Sequence, residues 1–162
     1  MKRIVVADTG PVHYLFLIGE IEILPAVFGE IHIPREVYSE LCHTGAPSPL
    51  RNWALNAPIW LRIQDVTAPT EPAMLALGVG ERSAIALAEF IHADLLLVDD
   101  RKASRAAIAR GLDVTGTLGI LRFAAEQGRI DIRQAVERLK TTNFRYRAEM
   151  LEGLVERFRA GR

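Results

Sequence analysis

Two apolar runs in this chain end in acid, Val5-Val6-Ala7-Asp8 and Leu97-Val98-Asp99-Asp100. An aspartate that follows a strand delivers a carboxylate to one rim of a sheet, although taken alone it is as readily a turn former or a helix cap. Two at the same rim point to shared chemistry. Glu81 begins a stripe in which Ala84, Ile85 and Ala88 lie three, four and seven residues on. Its side chain therefore belongs with the core-facing side of a helix and not with Arg82 and Glu89, while its place in the first turn also suits a capping charge. Glu40 stands beside Val37 and Leu41, with Glu36 one turn earlier, and spacing alone leaves either as the inward acid.

Carboxylates gathered in a partly dry cleft raise one another's pKa and cost stability unless something neutralises them. A hard divalent cation does so. Magnesium and manganese prefer oxygen ligands, keep several waters and bind through a few carboxylates together with substrate phosphates. Nitrogen and sulfur ligands offer no competing set, because His13, His32, His43 and His92 are scattered without ligand spacing and Cys42 is the one cysteine.

The elements that must position these acids alternate. Arg3 to Ala7 reads as a strand, and Asp8-Thr9-Gly10-Pro11 as a turn into a helix carrying His13 to Gly19, with Pro11 suited to a first helical turn. A short helix from Ile23 to Phe28, a strand at Ile31 to Ile33 and a helix from Arg35 to His43 follow. Gly45 to Pro49 is expected as a loop, Leu50 to Asn56 as a helix, and Trp60 to Val66 as a strand. A proline-rich connection, Pro69 to Pro72, precedes a helix opening at Gly80. Leu95 to Val98 is a continuous apolar run of the kind found in strands covered on both faces. Lys102 to Arg110, a short strand near Val114, Leu118 to Gln127, Ile132 to Thr141 and Tyr146 to Arg159 complete the series. This alternation predicts a three-layer α/β/α fold around a central, mainly parallel sheet, with function beyond the carboxyl ends of the strands.

With 162 residues, one domain over 1–162 is expected, 1–130 forming a core with the acidic site and 131–162 adding C-terminal helices. Lysine plus arginine equals aspartate plus glutamate at 20 each, which excludes a global basic field and makes any nucleic-acid contact local. Met1 to Val6 lacks the pattern of a secretory leader, the lone cysteine suits a reducing compartment, and no apolar run approaches the ~20 residues of a membrane helix. A cytoplasmic protein without membrane contact is expected. Asp8-Thr9-Gly10 is also the tripeptide of aspartic proteases, but those are largely β and need a second copy. Asp99-Asp100 resembles the acidic pair of receiver domains, yet no later strand ends in the aspartate such a domain needs. An aspartate-nucleophile phosphatase would want a second aspartate where Gly10 stands.

The strings Val6-Ala7-Asp8-Thr9-Gly10-Pro11, Ile33 to Leu41, Gly80 to Ala88 and Leu97 to Ala103, in this order and spacing, resemble PIN-domain proteins. The branch is a prokaryotic one, related to the toxin nucleases of toxin-antitoxin modules, and Gly116-Thr117-Leu118-Gly119 with Gly128 fits it too. The resemblance runs from about residue 3 to 130 and is looser beyond. It implies that Asp8, Glu40, Glu81 and Asp99 are catalytic and hold magnesium or manganese, and it favours Glu40 over Glu36. Glu81 stands where many relatives outside this branch have aspartate. Thr9 would be a supporting hydroxyl, and Asp100 a supporting acid or helix cap. The resemblance further implies a metal-dependent ribonuclease acting on RNA, with an antitoxin protein and a homodimer as expected partners. Arg101, Lys102 and Arg105, with Arg110 further on, are candidates to hold substrate phosphates. The alternative expectation is a PIN-like module that has lost catalysis and binds RNA or protein.

Overall fold

The computed structural model describes residues 3–160, so Met1 and Lys2, on which part of the leader expectation rests, lie outside it. Five strands, β1 (Val5–Ala7), β2 (Ile31–Pro34), β3 (Leu61–Gln64), β4 (Leu95–Leu97) and β5 (Val114–Thr115), form one sheet in the order β3-β2-β1-β4-β5. Every pairing is parallel, with Val5 opposite both Ile31 and Leu95. The expected mainly parallel sheet is therefore wholly parallel. The chain lays β2 and β3 to one side of β1, then returns to place β4 and β5 on the other. That reversal opens a crevice between the carboxyl ends of β1 and β4, where open α/β sheets bind their ligands.

Nine helices surround the sheet among the described residues: α1 (Thr9–Leu17), α2 (Ile23–Phe28), α3 (Arg35–Leu41), α4 (Ser48–Leu55), α5 (Val79–Phe90), α6 (Arg101–Ala109), α7 (Thr117–Glu126), α8 (Ile132–Lys140) and α9 (Ala148–Ala160). Successive strand residues point to opposite faces, and the two cores divide accordingly. Val5, Ala7, Leu95 and Leu97 join α1 to α4 and α7 to α9 on one face. Val6, Leu96 and Val98 join Ala84, Ile85, Leu87 and Ala88 of α5 and Ala103 and Ala107 of α6 on the other. Covering both faces is why the strands read as unbroken apolar runs, each fully buried side chain contributing ~1.5–3 kcal/mol. The acids that follow β1 and β4 are thus anchored by the best-buried part of the molecule.

Several boundaries differ from the sequence reading for identifiable reasons. Helix α1 begins at Thr9, with Pro11 in its first turn as expected, and ends at Leu17 instead of Gly19. Asp8 occupies the N-cap position with extended backbone, and Pro11 is accommodated in the first turn, where a missing N–H leaves no bond unmade. Helix α4 begins at Ser48, inside the segment expected as a loop, with Pro49 again in a first turn. Strand β3 is shorter than the Trp60 to Val66 run, and α9 starts at Ala148 instead of Tyr146. On α9, Leu151 is buried in the first core and Leu154, Val155 and Phe158 pack against it, so the apolar side of this helix completes the single chain. No helix among the described residues is long and apolar enough to cross a membrane.

Candidate active site

Asp8 follows β1 directly, and its backbone N–H donates to the Leu97 carbonyl at 2.8 Å, which fixes it against the end of β4. Asp99 stands two residues beyond β4 and is clamped from one side. Its Oδ1 accepts the Thr117 N–H and its Oδ2 the Thr117 hydroxyl, both at 2.7 Å. Thr117 is itself fully buried at the start of α7. Two glycines make room for this carboxylate: a Cβ at Gly10 would lie 3.0 Å from Asp99 Oδ2, and one at Gly116 would lie 2.6 Å from Oδ1.

Helix α3 supplies two acids one turn apart, and the structure gives them different partners. Glu40 Oε2 accepts the hydroxyl of Thr9. Gly80, in the first turn of α5, lets the Glu40 carboxylate lie across the helix backbone, because a Cβ there would collide with Oε1. Glu36 instead accepts the buried Ser83 hydroxyl on Oε2 at 3.0 Å. Glu81 reaches back to accept the Gly78 N–H at 2.9 Å, so it serves as a cap for α5 while facing the other acids.

Glu40, Glu81 and Asp99 all lie near enough to Asp8 for their charges to act on it. Asp8 is 6 % exposed, and its Oδ1 has no hydrogen-bond partner among the described residues. Burial foremost, with Glu81, Glu40 and Asp99 adding repulsion, pushes its carboxyl up to about 7. The Thr9 amide pulls the other way, close enough to attract the carboxylate yet not aligned for a capping bond. Burial also pushes Glu81 up; the Gly78 amide opposes this, and Asp100 and Glu40 reinforce it. Asp99 is raised by burial and held back by its two bonds from Thr117. Asp100 points elsewhere with one oxygen: its Oδ2 accepts the Ala103 N–H at 2.9 Å and caps α6.

Arg101, Lys102 and Arg105 are exposed on α6. Arg110, at the far end of that helix, is engaged by Glu89 at 2.7 Å and Glu71 at 3.0 Å, which removes it from the candidate phosphate contacts. Sequence reasoning did not assign roles to Thr117, Ser83 or Gly80. It also gave no hint of the segment after α8, where Tyr14 donates to Asn143 Oδ1 at 2.9 Å and meets Phe144 edge-on at 5.0 Å. Tyr14 is pushed up by burial and by Asp99, with Arg145 opposing.

Among the described residues no group of three or more His, Cys, Asp or Glu side chains is gathered so as to hold a metal ion outright. Oxygen donors and a buried Asp8 oxygen without a partner among the described residues nevertheless fit magnesium or manganese, which need only one or two carboxylates when substrate phosphates complete the sphere. A family profile described as PIN domain matches residues 4–160. The chain belongs to the PIN-domain family. The match runs through α8 and α9, so the C-terminal helices as far as residue 160, expected to fit only loosely, lie within the match. PIN domains are typically nucleases and generally use magnesium or manganese. No curated protein matches this PIN domain.

Proposed function

We propose that this PIN domain hydrolyses phosphodiester bonds of single-stranded RNA, with magnesium or manganese held by Asp8, Glu40, Glu81 and Asp99. The observation that supports it best is Asp8, a buried carboxylate with a partnerless oxygen, pushed up to about 7 by its burial and by three neighbouring acids. Side chains so arranged cost stability until a positive charge joins them. When bound there, a hard divalent ion supplies Lewis acidity, acidifying water and neutralising charge that develops at the phosphate.

The chain's own residues prepare that chemistry. The Leu97 carbonyl fixes the backbone of Asp8, and Thr117 clamps Asp99, so both present oxygens that need little rearrangement. Thr9 orients Glu40. Glu81 is raised by burial and by Asp100 and Glu40, against the Gly78 amide, so a cation joining the cluster would relieve it. Arg101 and Lys102 occupy the first turn of α6, where the helix dipole disfavours cations by ~0.3–1 kcal/mol each. Helix stability does not explain that placement. Contact with the phosphates of a strand lying over the Asp99 end of the sheet does, and Arg105 lies one turn further along.

The test is incubation of the purified protein with single-stranded RNA and manganese. Fragments should appear, and should vanish with a chelator or with Asp8→Asn. RNA that is bound yet never cut would instead favour the non-catalytic module. An antitoxin-type protein partner and a homodimer belong to the same proposal on family grounds, and light scattering on the purified chain tests the dimer.

A further inference from the structure

A cleft of about 590 Å³ opens beside the acids, sharing Thr9 and Glu40 with the site and running over α3 towards the 43–47 loop. This is ample for a small ligand group. Its apolar wall includes Leu41, Pro47 and Leu50, and its polar groups include His13, His43 and Glu36. Two of the histidines that look scattered in the sequence thus meet across one cleft. Its lining contains no lysine or arginine, so it is a poor place for a phosphate. Exposed cations suited to phosphates are instead carried by α6, as Arg101, Lys102 and Arg105.

We propose that this cleft receives an unpaired nucleobase bearing an exocyclic amino group, adenine, cytosine or guanine in preference to uracil, next to the phosphate being cut. The inference rests on the nuclease reading and adds to it a base preference and a reason for single strands. Glu36 is the specificity-determining residue. The Ser83 hydroxyl holds its Oε2, no hydrogen bond to its Oε1 occurs among the described residues, and Glu36 lines the cleft, so it offers the cleft an acceptor. A carboxylate accepts from an amino group and repels a carbonyl, which separates cytosine from uracil. His43 is oriented as well: its Nδ1 accepts the Gly45 N–H at 2.9 Å, which leaves Nε2 to carry the proton of the neutral ring. An imidazole held in that way offers a face on which a base can stack, and a base can reach such a cleft only when it is free to leave its helix. Phosphates would then follow the α6 side of the crevice and the base the α3 side.

Two readouts separate this inference from the nuclease reading. In the first, a single-stranded RNA of random sequence is cut with manganese and the ends are sequenced. Uracil should be depleted at one position flanking the cut by at least about fivefold. Glu36→Gln, whose amide donates as well as accepts, should abolish the depletion while cutting continues, and Ala46→Trp, which fills the cleft from its exposed loop, should do the same. His43→Ala should weaken binding, with His43→Phe restoring it by keeping the ring face. In the second, labelled oligo(A), oligo(C) and oligo(U) are bound to full-length Asp8→Asn, where oligo(U) should bind at least about fivefold more weakly. An absence of cutting with that preference retained would sink the nuclease reading and leave the base cleft standing. Cutting without any base bias, or a bias unaffected by both Glu36→Gln and Ala46→Trp, would overturn the base cleft and leave the nuclease reading intact.

Discussion

Replacing Asp8 with asparagine should make the metal-free protein more stable, although it removes a buried and well-positioned residue. In the unfolded chain this carboxyl ionises near its ordinary 3.8, and in the fold it is pushed up to about 7. The folded state therefore binds the proton more tightly. Its favourable contribution is fully present below about pH 4 and is lost as pH rises through about 7, a swing of about 4 kcal/mol between those limits. Asparagine abolishes the swing but leaves a buried amide atom without a partner at the Oδ1 position, which costs about 1–3 kcal/mol. At pH 8 with a chelator the variant should gain about 1–3 kcal/mol, which raises Tm by roughly 3–10 °C for a chain of this length. At pH 4.5 the gain should disappear or reverse, because the wild-type carboxyl is already protonated. Manganese at a hundredfold excess over its Kd should stabilise the wild type by about 2.7 kcal/mol and leave Asp8→Asn unmoved. Differential scanning calorimetry at the two pH values, with chelator and with manganese, reads all of these. A variant less stable than the wild type at pH 8 without metal, or one stabilised equally by manganese, would refute the reasoning.

Six further substitutions probe the parts around that carboxylate. Gly80→Ala should leave stability unchanged or raise it by up to about 1 kcal/mol, since alanine favours a helix, while cutting RNA cleavage sharply because the new methyl displaces Glu40; parallel melts and cleavage assays decide it. Thr117→Val should cost about 1–3 kcal/mol in urea unfolding, by leaving the half-buried Asp99 carboxylate short of a donor, and should reduce cleavage without abolishing it. Asp99→Asn should fold normally and lose cleavage, whereas Asp100→Asn should keep most activity and the α6 cap, asparagine being nearly as good there; reversed phenotypes would move the ligand assignment by one residue. Arg101→Ala combined with Lys102→Ala should weaken RNA binding and flatten its salt dependence, as measured by anisotropy across a salt series, because fewer counterions are released per complex.

Asp8 and Asp99 were legible in the sequence because both sit where an unbroken apolar run stops, and strand ends in a parallel sheet share one rim. Glu81 was legible from its place in an apolar stripe, and its capping bond shows that the ordinary role of a first-turn acid and convergence on Asp8 coexist. Glu36 and Glu40 could not be separated by spacing, since residues one turn apart lie on one side of a helix. What distinguishes them is a hydroxyl arriving from another element, Ser83 for one and Thr9 for the other. Thr117 left a fainter trace, a threonine between glycines after a two-residue strand, and only the close approach of Asp99 to Gly116 explains the glycine. The Tyr14 to Asn143 bond joins residues 129 positions apart and has no local signature at all. Pro11 was legible as part of the first turn of α1, whereas Pro49, read as part of a loop, lies in the first turn of α4.

The most direct measurement of the carboxylate site is a manganese titration of RNA cleavage on protein whose manganese affinity has been determined by calorimetry. The cleavage rate should saturate at the concentration that fills the calorimetric site, and Asp8→Asn should give neither binding heat nor fragments. Cleavage that persists at the wild-type rate with a chelator or with Asp8→Asn, or binding heat without any cleavage of single-stranded RNA, would contradict the assignment.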